Sequence, residues 1–147
     1  MLVDANILLY SIDEDSTFHE PARAWMDGAL NGPRRVGIPW MSMVAFVRIV
    51  TNPRALRAPL NPAEAWELVE GWIDAPAAWI PEPGRGHREI LGRLLSTLDL
   101  RANLVTDAVL AALCIEHGLE IVSADSDFAR FTEIGWINPV SPRATTR

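Results

Sequence analysis

Short apolar runs alternate along this chain with longer stretches in which apolar residues recur at helical spacing. Strands are predicted over 1–5, 35–39, 77–83 and 119–124, with a possible fifth over 134–138. Helices are predicted over 6–13, from 17 to about 30, from 40 to 53, from 61 onwards, from about 86 to 98, over 106–117 and, briefly, over 125–131. Strands that are apolar on both faces and alternate with helices indicate a mostly parallel sheet covered by helices. We therefore expect an α/β fold with a central sheet of four to five strands, in one domain over residues 1–140 with a C-terminal tail over 141–147.

Capping residues predict where several of these helices begin and end. Thr17 and Glu20 have the spacing of a capping box. Asn61 and Thr106 are expected to cap the helices that follow them. Gly118 is expected to end the helix over 106–117, because glycine adopts the left-handed conformation of a C-cap without strain.

The composition fits one folded domain and argues against several other classes of protein. A chain of 147 residues favours a single domain, and its 49% of hydrophobic residues are enough for a core. The longest apolar runs fall far short of the roughly 18 residues of a membrane helix. Cys114 is the single cysteine, which excludes a disulfide framework and a thiolate metal site. The acidic residue at position 4 and the lack of a basic start argue against a signal peptide, so a cytoplasmic location is expected.

Charge is distributed unevenly along the chain. The net charge is −6, and all 13 basic residues are arginine. An acidic protein does not bind nucleic acid loosely. Residues 34–101, however, carry nine arginines and seven acidic residues, a net charge of +2, whereas both ends are acidic. The basic middle segment therefore keeps a phosphate-binding surface possible.

Four aspartates are predicted at the ends of strands or helices. Asp4 ends the first strand, Asp125 and Asp127 follow the fourth, and Asp107 falls in the first turn of a helix. Ligands bind beyond the carboxyl ends of strands in open parallel sheets, so these side chains are expected to share one pocket. Two like charges about 4 Å apart repel by roughly 4 kcal/mol at an effective dielectric constant near 20. A divalent cation such as Mg²⁺ would balance them, because it prefers carboxylate oxygens and the chain has no lysine to do so.

Each of these acids also has a structural interpretation. Asp107 can simply favour the dipole of the helix that it begins, and Asp125 or Asp127 can cap the short helix that follows. Asp4 is harder to explain in this way, because an unpaired carboxylate next to the core is costly. The combination of four acids at such positions favours a functional site.

Four segments of the chain, in this order, resemble the PIN domain. They are MLVDANILLY (1–10), FVRIVTNPR (46–54), NLVTDAVLAALCIEHG (103–118) and IVSADSDFARF (121–131). The resemblance extends from Met1 to about Asn138 and is specifically to the VapC-type toxins of bacterial toxin–antitoxin pairs. It implies a Rossmann-like fold, a metal-dependent endoribonuclease activity with Mg²⁺ or Mn²⁺, and a cognate antitoxin that blocks the site.

The resemblance also implies roles for individual acids. Asp4 matches the first acid of the family, Asp107 its acid at a helix start, and Asp125 the acid after the last long strand. Asp127 matches a further acid that is often found beside that one. All four are expected to be catalytic, and the first three to be metal ligands.

Two supporting positions match the family, and one ligand position does not. Asn6 matches a polar residue that orients the first acid. Ser123 matches a small hydroxyl residue that precedes the acid after the last long strand. The family usually has a glutamate three residues before the arginine of the third helix, but here Ala45 precedes Arg48. A methyl group cannot bind a metal ion. Asp127 or a water molecule would have to compensate, or the enzyme is slow or silent.

The implied reaction is hydrolysis of RNA phosphodiester bonds. One cation is expected between Asp4 and Asp107, with a weaker second site near Asp125 and Asp127. The RNA would be held by arginines of the basic middle segment, since guanidinium groups pair with phosphate. The candidates for RNA binding are Arg48, Arg54, Arg57 and Arg85. The expected partners are an RNA substrate, an antitoxin protein and a second copy of the chain in a homodimer.

Two other functions remain open. A catalytically silent PIN fold that binds an antitoxin or RNA would also explain Ala45. A phosphatase of the haloacid dehalogenase type likewise has acids after its first strand and after a later strand. That chemistry normally needs a lysine and a second aspartate where Asn6 stands, and this chain has neither.

Overall fold

The structure is a computed structural model that describes residues 1–141. The strands are β1 (Leu2–Val3), β2 (Val36–Gly37), β3 (Ala78–Trp79), β4 (Ile121–Val122) and β5 (Trp136–Ile137). The helices are α1 (Ala5–Tyr10), α2 (His19–Leu30), α3 (Trp40–Val50), α4 (Pro62–Ile73), α5 (His87–Thr97) and α6 (Asn103–His117), with a 3₁₀ helix over Ser126–Arg130. Residues 142–147 of the predicted tail lie outside the described residues, so the domain boundary at residue 140 stays a prediction. None of the helices described here is both long and apolar enough to span a bilayer.

All five strands are parallel and form one sheet in the order β3-β2-β1-β4-β5. From β1 the chain adds β2 and β3 on one side, and later adds β4 and β5 on the other side of β1. The direction of winding therefore reverses between β1 and β4, which are paired neighbours. Ligands of α/β proteins bind at such reversal points, beyond the carboxyl ends of the strands. The predicted α/β fold with a parallel sheet is confirmed.

Alternation of side chains along the strands builds two separate cores. Val3 and Val122 pack in a core with α1 to α4, whereas their neighbours Leu2 and Ile121 pack in a second core with α5 and α6. All four side chains are fully buried, and such burial stabilises the fold by about 1.5–3 kcal/mol for each. Cys114 lies in the second core, where burial raises the pKa of its thiol to about 12. The carboxyl ends of β1 and β4 are thus held side by side from both faces.

Two of the predicted helix caps are confirmed. Asn61 caps α4 in a capping box with Glu64, whose side chain accepts a hydrogen bond from the backbone N–H of Asn61 at 2.8 Å. Gly118 ends α6 in the left-handed conformation, with φ of 64°. Both helices therefore begin or end where local capping chemistry predicted.

Two other predicted caps are wrong. Phe18, and not Thr17, occupies the N-cap position of α2, and no side chain of the described residues caps this helix. The helix predicted to start at Thr106 begins earlier, at Asn103. The physical reason is packing. Leu104 contacts the second core, and this contact favours a helix that begins about one turn before Thr106. Burial of apolar surface here outweighs the preference of a threonine hydroxyl for a cap.

Candidate active site

Asp4 follows β1 directly and is the N-cap of α1. Its Oδ1 accepts a hydrogen bond from the backbone N–H of Ala5 at 2.7 Å. Its Oδ2 accepts hydrogen bonds from Asn6 Nδ2 at 2.9 Å and from Ser123 Oγ at 2.7 Å. Burial raises the pKa of Asp4; these hydrogen bonds oppose the shift, and the charge of Asp125 adds to it. Both oxygens of this carboxylate are held by donors of the fold.

Ser123 connects the ends of β1 and β4. This residue is fully buried, and its hydroxyl donates to Asp4 while accepting from Asn6 Nδ2 at 2.9 Å and from the Asp125 N–H at 3.0 Å. Asn6 Oδ1 in turn accepts a hydrogen bond from the Ala124 N–H at 3.2 Å. One donor and two acceptor positions are the full capacity of a hydroxyl, and all are used. These contacts agree with the supporting roles that the resemblance implies for Asn6 and Ser123, which stay predictions.

Asp125 follows β4 and is the N-cap of the 3₁₀ helix. Its Oδ1 accepts a hydrogen bond from the backbone N–H of Asp127 at 2.8 Å. The structural interpretation of Asp125 as a cap is therefore confirmed. The cap uses one of the two oxygens of an exposed carboxylate, so it does not exclude a second role for this side chain.

Asp107 lies in the second turn of α6, and its predicted position in the first turn is wrong because the helix begins at Asn103. The interaction of a charge with the helix dipole falls off within the first turn, so the dipole does not explain this residue. Burial, followed by the charges of the three other aspartates, raises the pKa of Asp107 to about 6, and Arg130 opposes this shift. The four carboxylates are therefore close enough to interact electrostatically.

Three of the four carboxylates lie close enough together to hold one ion. One carboxylate oxygen from each of Asp107, Asp125 and Asp127 lies within 4.8 Å of the other two. Asp4 is not part of this group in the described portion of the chain. This group is not the pair of Asp4 and Asp107 that the sequence predicts for the first ion, and the role of Asp4 as a ligand stays a prediction. Three hard oxygen donors of like charge are a donor set that fits Mg²⁺ or Mn²⁺.

Arg130 also lies at this group of carboxylates, and the motifs of the sequence do not identify it as a site residue. Its Nη2 donates a hydrogen bond to Asp127 Oδ1 at 2.6 Å, and its Nε donates to the Asp127 carbonyl at 3.1 Å. The i,i+3 spacing of the two residues in a short helix is the signal that could have identified the pair. The lack of lysine therefore does not leave the carboxylates without a cationic neighbour.

A family model for the PIN domain matches residues 1–134 of the chain. The chain belongs to the PIN domain family. Ribonuclease VapC37 of Mycobacterium tuberculosis strain H37Rv is 45% identical over 138 residues, which cover 94% of this chain and 96% of that protein. Ribonuclease VapC33 of the same strain is 37% identical over 140 residues, which cover 95% of this chain and 98% of that protein. The resemblance to VapC-type proteins is confirmed.

The PIN domain fold is also found among solved structures. The crystal structure of VapBC2 from Rickettsia felis, bound to a DNA fragment from their promoter, matches with a TM-score of 0.70 at 13% identity. The match covers 93% of this chain and 96% of that chain. At this identity the similarity shows the fold alone, and it agrees with the predicted PIN-like architecture.

Three of the arginines predicted to bind RNA lie on one stretch of this PIN domain. Arg48 is exposed in the last turn of α3, and Arg54 and Arg57 are exposed in the connection from α3 to α4. Arg57 lines a surface cavity together with the acidic segment 13–15. No ion pair within residues 1–141 engages these arginines. They are available for a ligand, and their role stays a prediction.

Arg85 lies elsewhere. The backbone N–H groups of its neighbours Gly84 and Gly86 donate to the carboxylate of Glu116 at 2.9 and 3.1 Å. Glu116 lies near the C-terminal end of α6, nine positions after Asp107, which is about 14 Å along the helix. The structure thus does not bring Arg85 together with the carboxylates.

Ala45 occupies the position where the PIN domain usually has a glutamate. Ser42 Oγ donates to the Val3 carbonyl at 2.7 Å, which joins the first turn of α3 to the end of β1. Residues three positions apart lie on the same side of a helix, so Ala45 is on the side of α3 that faces the end of β1. A methyl group at this position supplies no ligand.

Proposed function

We propose that this PIN domain is a metal-dependent endoribonuclease and the toxic component of a type II toxin–antitoxin pair. The observation that carries the proposal is the group of three carboxylate oxygens within 4.8 Å of one another, at the reversal point of a parallel sheet. The raised pKa values of Asp4 and Asp107 support it, since perturbed carboxylates cluster at functional sites. Relatives that match nearly the whole chain are named ribonucleases.

The residues that would hold a Mg²⁺ or Mn²⁺ ion are Asp107, Asp125 and Asp127, with Asp4 as the further predicted ligand. Such an ion, when bound, lowers the pKa of water and offsets the negative charge of the scissile phosphate. Without a cation, the four carboxylates would repel a phosphodiester. A bound ion would therefore explain why the acids cluster, and it would let a phosphodiester approach them.

The remaining residues of the site hold the acids in place before substrate binds. Ser123 and Asn6 fix the direction of Asp4 Oδ2, and the cap that Asp125 provides fixes the start of the 3₁₀ helix that carries Asp127. Preorganised charged groups need no rearrangement during the reaction, which favours catalysis. In this proposal Asn6 and Ser123 position the acids and do not contact the RNA.

Arginines would hold the RNA backbone around the carboxylates. Arg48, Arg54 and Arg57 are exposed on one stretch, from the last turn of α3 into the connection that follows, and are proposed to pair with phosphates on one side of the cut. Arg85 would contact only a distant part of a longer RNA. Because guanidinium–phosphate pairing is electrostatic, RNA binding should weaken as the salt concentration rises.

A cognate antitoxin and a second copy of the chain are the proposed protein partners, in the cytoplasm. The solved structure of VapBC2 from Rickettsia felis supports the idea of a partner that accompanies this fold. Trp40 and Val44, one turn apart on α3, are 45% and 60% exposed and provide an apolar surface for such contacts.

One alternative is favoured by a specific observation. Ala45 removes a usual ligand of the family, which is compatible with a PIN domain that binds its partners without cutting RNA. The two functions differ in a single measurable property, which is turnover.

The experiment compares four purified proteins with RNA in the presence of Mn²⁺. The wild type should cut, Asp107→Asn and Asp125→Asn should lose at least about 100-fold in rate, and the exposed Asp74→Asn should cut like the wild type. Cutting that is equal in all four would identify a contaminating nuclease. A folded wild type that binds RNA or an antitoxin but never cuts would establish the silent module instead.

A further inference from the structure

Arg130 directs both of its hydrogen bonds to Asp127, a member of the carboxylate group. Its guanidinium is thus folded back onto its own 3₁₀ helix, with 39% of the side chain exposed. The other arginine ion pairs within residues 1–141 involve acids outside this group. They are Arg23–Asp27, Arg34–Glu120, Arg93–Glu133 and Arg101–Asp99. In the described part of the chain, Arg130 is the arginine whose ion pair would compete with a divalent cation for an acid of the site.

The guanidinium of Arg130 and a divalent cation have the same preferred partner. The hydrogen bond of 2.6 Å from Nη2 occupies Asp127 Oδ1. A single positive charge about 6 Å from a divalent ion weakens its binding by about tenfold, even at the dielectric constant of water. The charge of Arg130 reaches across the group, since it also opposes the rise in the pKa of Asp107. Arg130 is therefore expected to weaken binding of an ion to these carboxylates.

The RNA backbone offers Arg130 a second anionic partner in the same place. A phosphodiester presents two non-bridging oxygens, which match the forked donors of a guanidinium. With the carboxylate of Asp127 engaged by an ion, the Nη2 of Arg130 would be free to donate to a phosphate oxygen. The arginine side chain is long, and its partial exposure leaves room for this change of partner.

We propose that Arg130 is an RNA-binding residue that exchanges partners, pairing with Asp127 in the metal-free site and with the RNA phosphate once an ion is bound. This inference rests on the proposed ribonuclease function. It assigns Arg130 two opposite effects, because the residue weakens ion binding and strengthens RNA binding. A purely structural role, in which Arg130 only stabilises the 3₁₀ helix, predicts instead that its removal weakens both.

The test uses the full chain and three variants. Arg130→Gln removes the charge. Arg130→Lys keeps the charge but lacks the paired N–H donors of the guanidinium group. Arg34→Gln is the matched control, because Arg34 forms an ion pair with Glu120, which precedes β4, whereas the carboxylate group follows that strand. Calorimetric titration with Mn²⁺ alone gives Kd for the ion, and cleavage of a short single-stranded RNA at saturating Mn²⁺ separates KM from kcat.

For Arg130→Gln we expect a Kd for Mn²⁺ that falls by about three- to tenfold and a KM for RNA that rises by about tenfold. Arg130→Lys should keep the wild-type Kd for Mn²⁺ and show part of the rise in KM, and Arg34→Gln should change neither. If Arg130→Gln leaves the Kd for Mn²⁺ unchanged or raises it, the proposed exchange of partners is wrong. If instead the wild type itself neither binds Mn²⁺ nor cuts RNA, the proposed function fails, and the inference fails with it.

Discussion

The hydroxyl of Ser123 donates a hydrogen bond of 2.7 Å to Oδ2 of Asp4, across 119 positions of sequence. The two residues end adjacent parallel strands, and the same hydroxyl accepts the N–H of Asp125. A single buried oxygen atom thereby sets the relative position of two acids from opposite ends of the chain. Its removal should affect both the stability of the fold and the geometry of the site.

Ser123→Ala should destabilise the protein by about 1–3 kcal/mol, because it leaves a buried carboxylate oxygen short of a donor and an N–H without its acceptor. The pKa of Asp4 should rise further, since the hydrogen bond from Ser123 lowers it in the wild type. Urea unfolding measures the loss of stability, and the pH dependence of RNA cleavage measures the change at Asp4. Ser96→Ala, at an exposed serine of α5 that bonds only to carbonyls of its own helix, is the control. Wild-type stability of Ser123→Ala would contradict the importance of this contact.

Asp107→Asn should stabilise the metal-free protein at neutral pH while abolishing cleavage. The pKa of Asp107 is about 6 in the folded protein, against an ordinary value of 3.8. Between these values the folded state binds more protons than the unfolded state, so stability falls as pH rises through this window and the full cost remains above it. Screening of this partly exposed group limits the gain to about 1 kcal/mol, or roughly 2–4 °C in Tm. The gain should be present at pH 7.5 and absent at pH 3.5, as measured by thermal unfolding in EDTA.

Mn²⁺ should raise the Tm of the wild type, and the increase should depend on pH. An ion that binds only the folded state stabilises it by about 2.7 kcal/mol at one hundred times its Kd. Protons compete with the ion for Asp107, whose pKa is about 6, so the increase in Tm should be large at pH 7.5 and shrink below pH 6. EDTA should reverse it. An increase that is equal at pH 7.5 and pH 5, or that persists in Asp125→Asn, would indicate binding elsewhere.

Ala45→Glu should restore a ligand that the PIN domain usually has. On the side of α3 facing the end of β1, a new carboxylate would add to the repulsion in the metal-free site and to the attraction for an ion. We therefore expect a lower Tm in EDTA, a Kd for Mn²⁺ reduced by about tenfold, and faster cleavage. Ala45→Gln, of similar size but uncharged, is the control. If both variants bind Mn²⁺ alike, position 45 does not contribute to the ion site.

The sequence predicted the architecture because buried faces of strands and helices require apolar residues at regular spacing. Alternating residues such as Leu2 and Val3 must serve two cores, and this requires a strand that is apolar on both faces. The acids Asp4 and Asp125 were likewise predictable, since polar residues that directly follow such strands must lie at the carboxyl edge of the sheet.

Other features depend on contacts that no local pattern records. The start of α6 was mispredicted because packing of Leu104 outweighed the cap at Thr106, and this moved Asp107 from the first turn to the second. Arg85 lies on a loop that Glu116 holds away from the site. The pair of Arg130 and Asp127 is the exception, because its i,i+3 spacing is visible in the sequence.

The order of apolar and polar residues by itself determined that this chain forms a parallel α/β sheet and that several carboxylates follow its strands, because both depend only on periodicity and position. Which carboxylates meet was decided by the tertiary structure alone. Donors from two distant segments, residues 5–6 and Ser123, hold Asp4, and packing of α6 against the 3₁₀ helix after β4 sets Asp107 beside Asp125 and Asp127. Distances between side chains on separate elements follow from how those elements pack, and packing is a property of the whole chain.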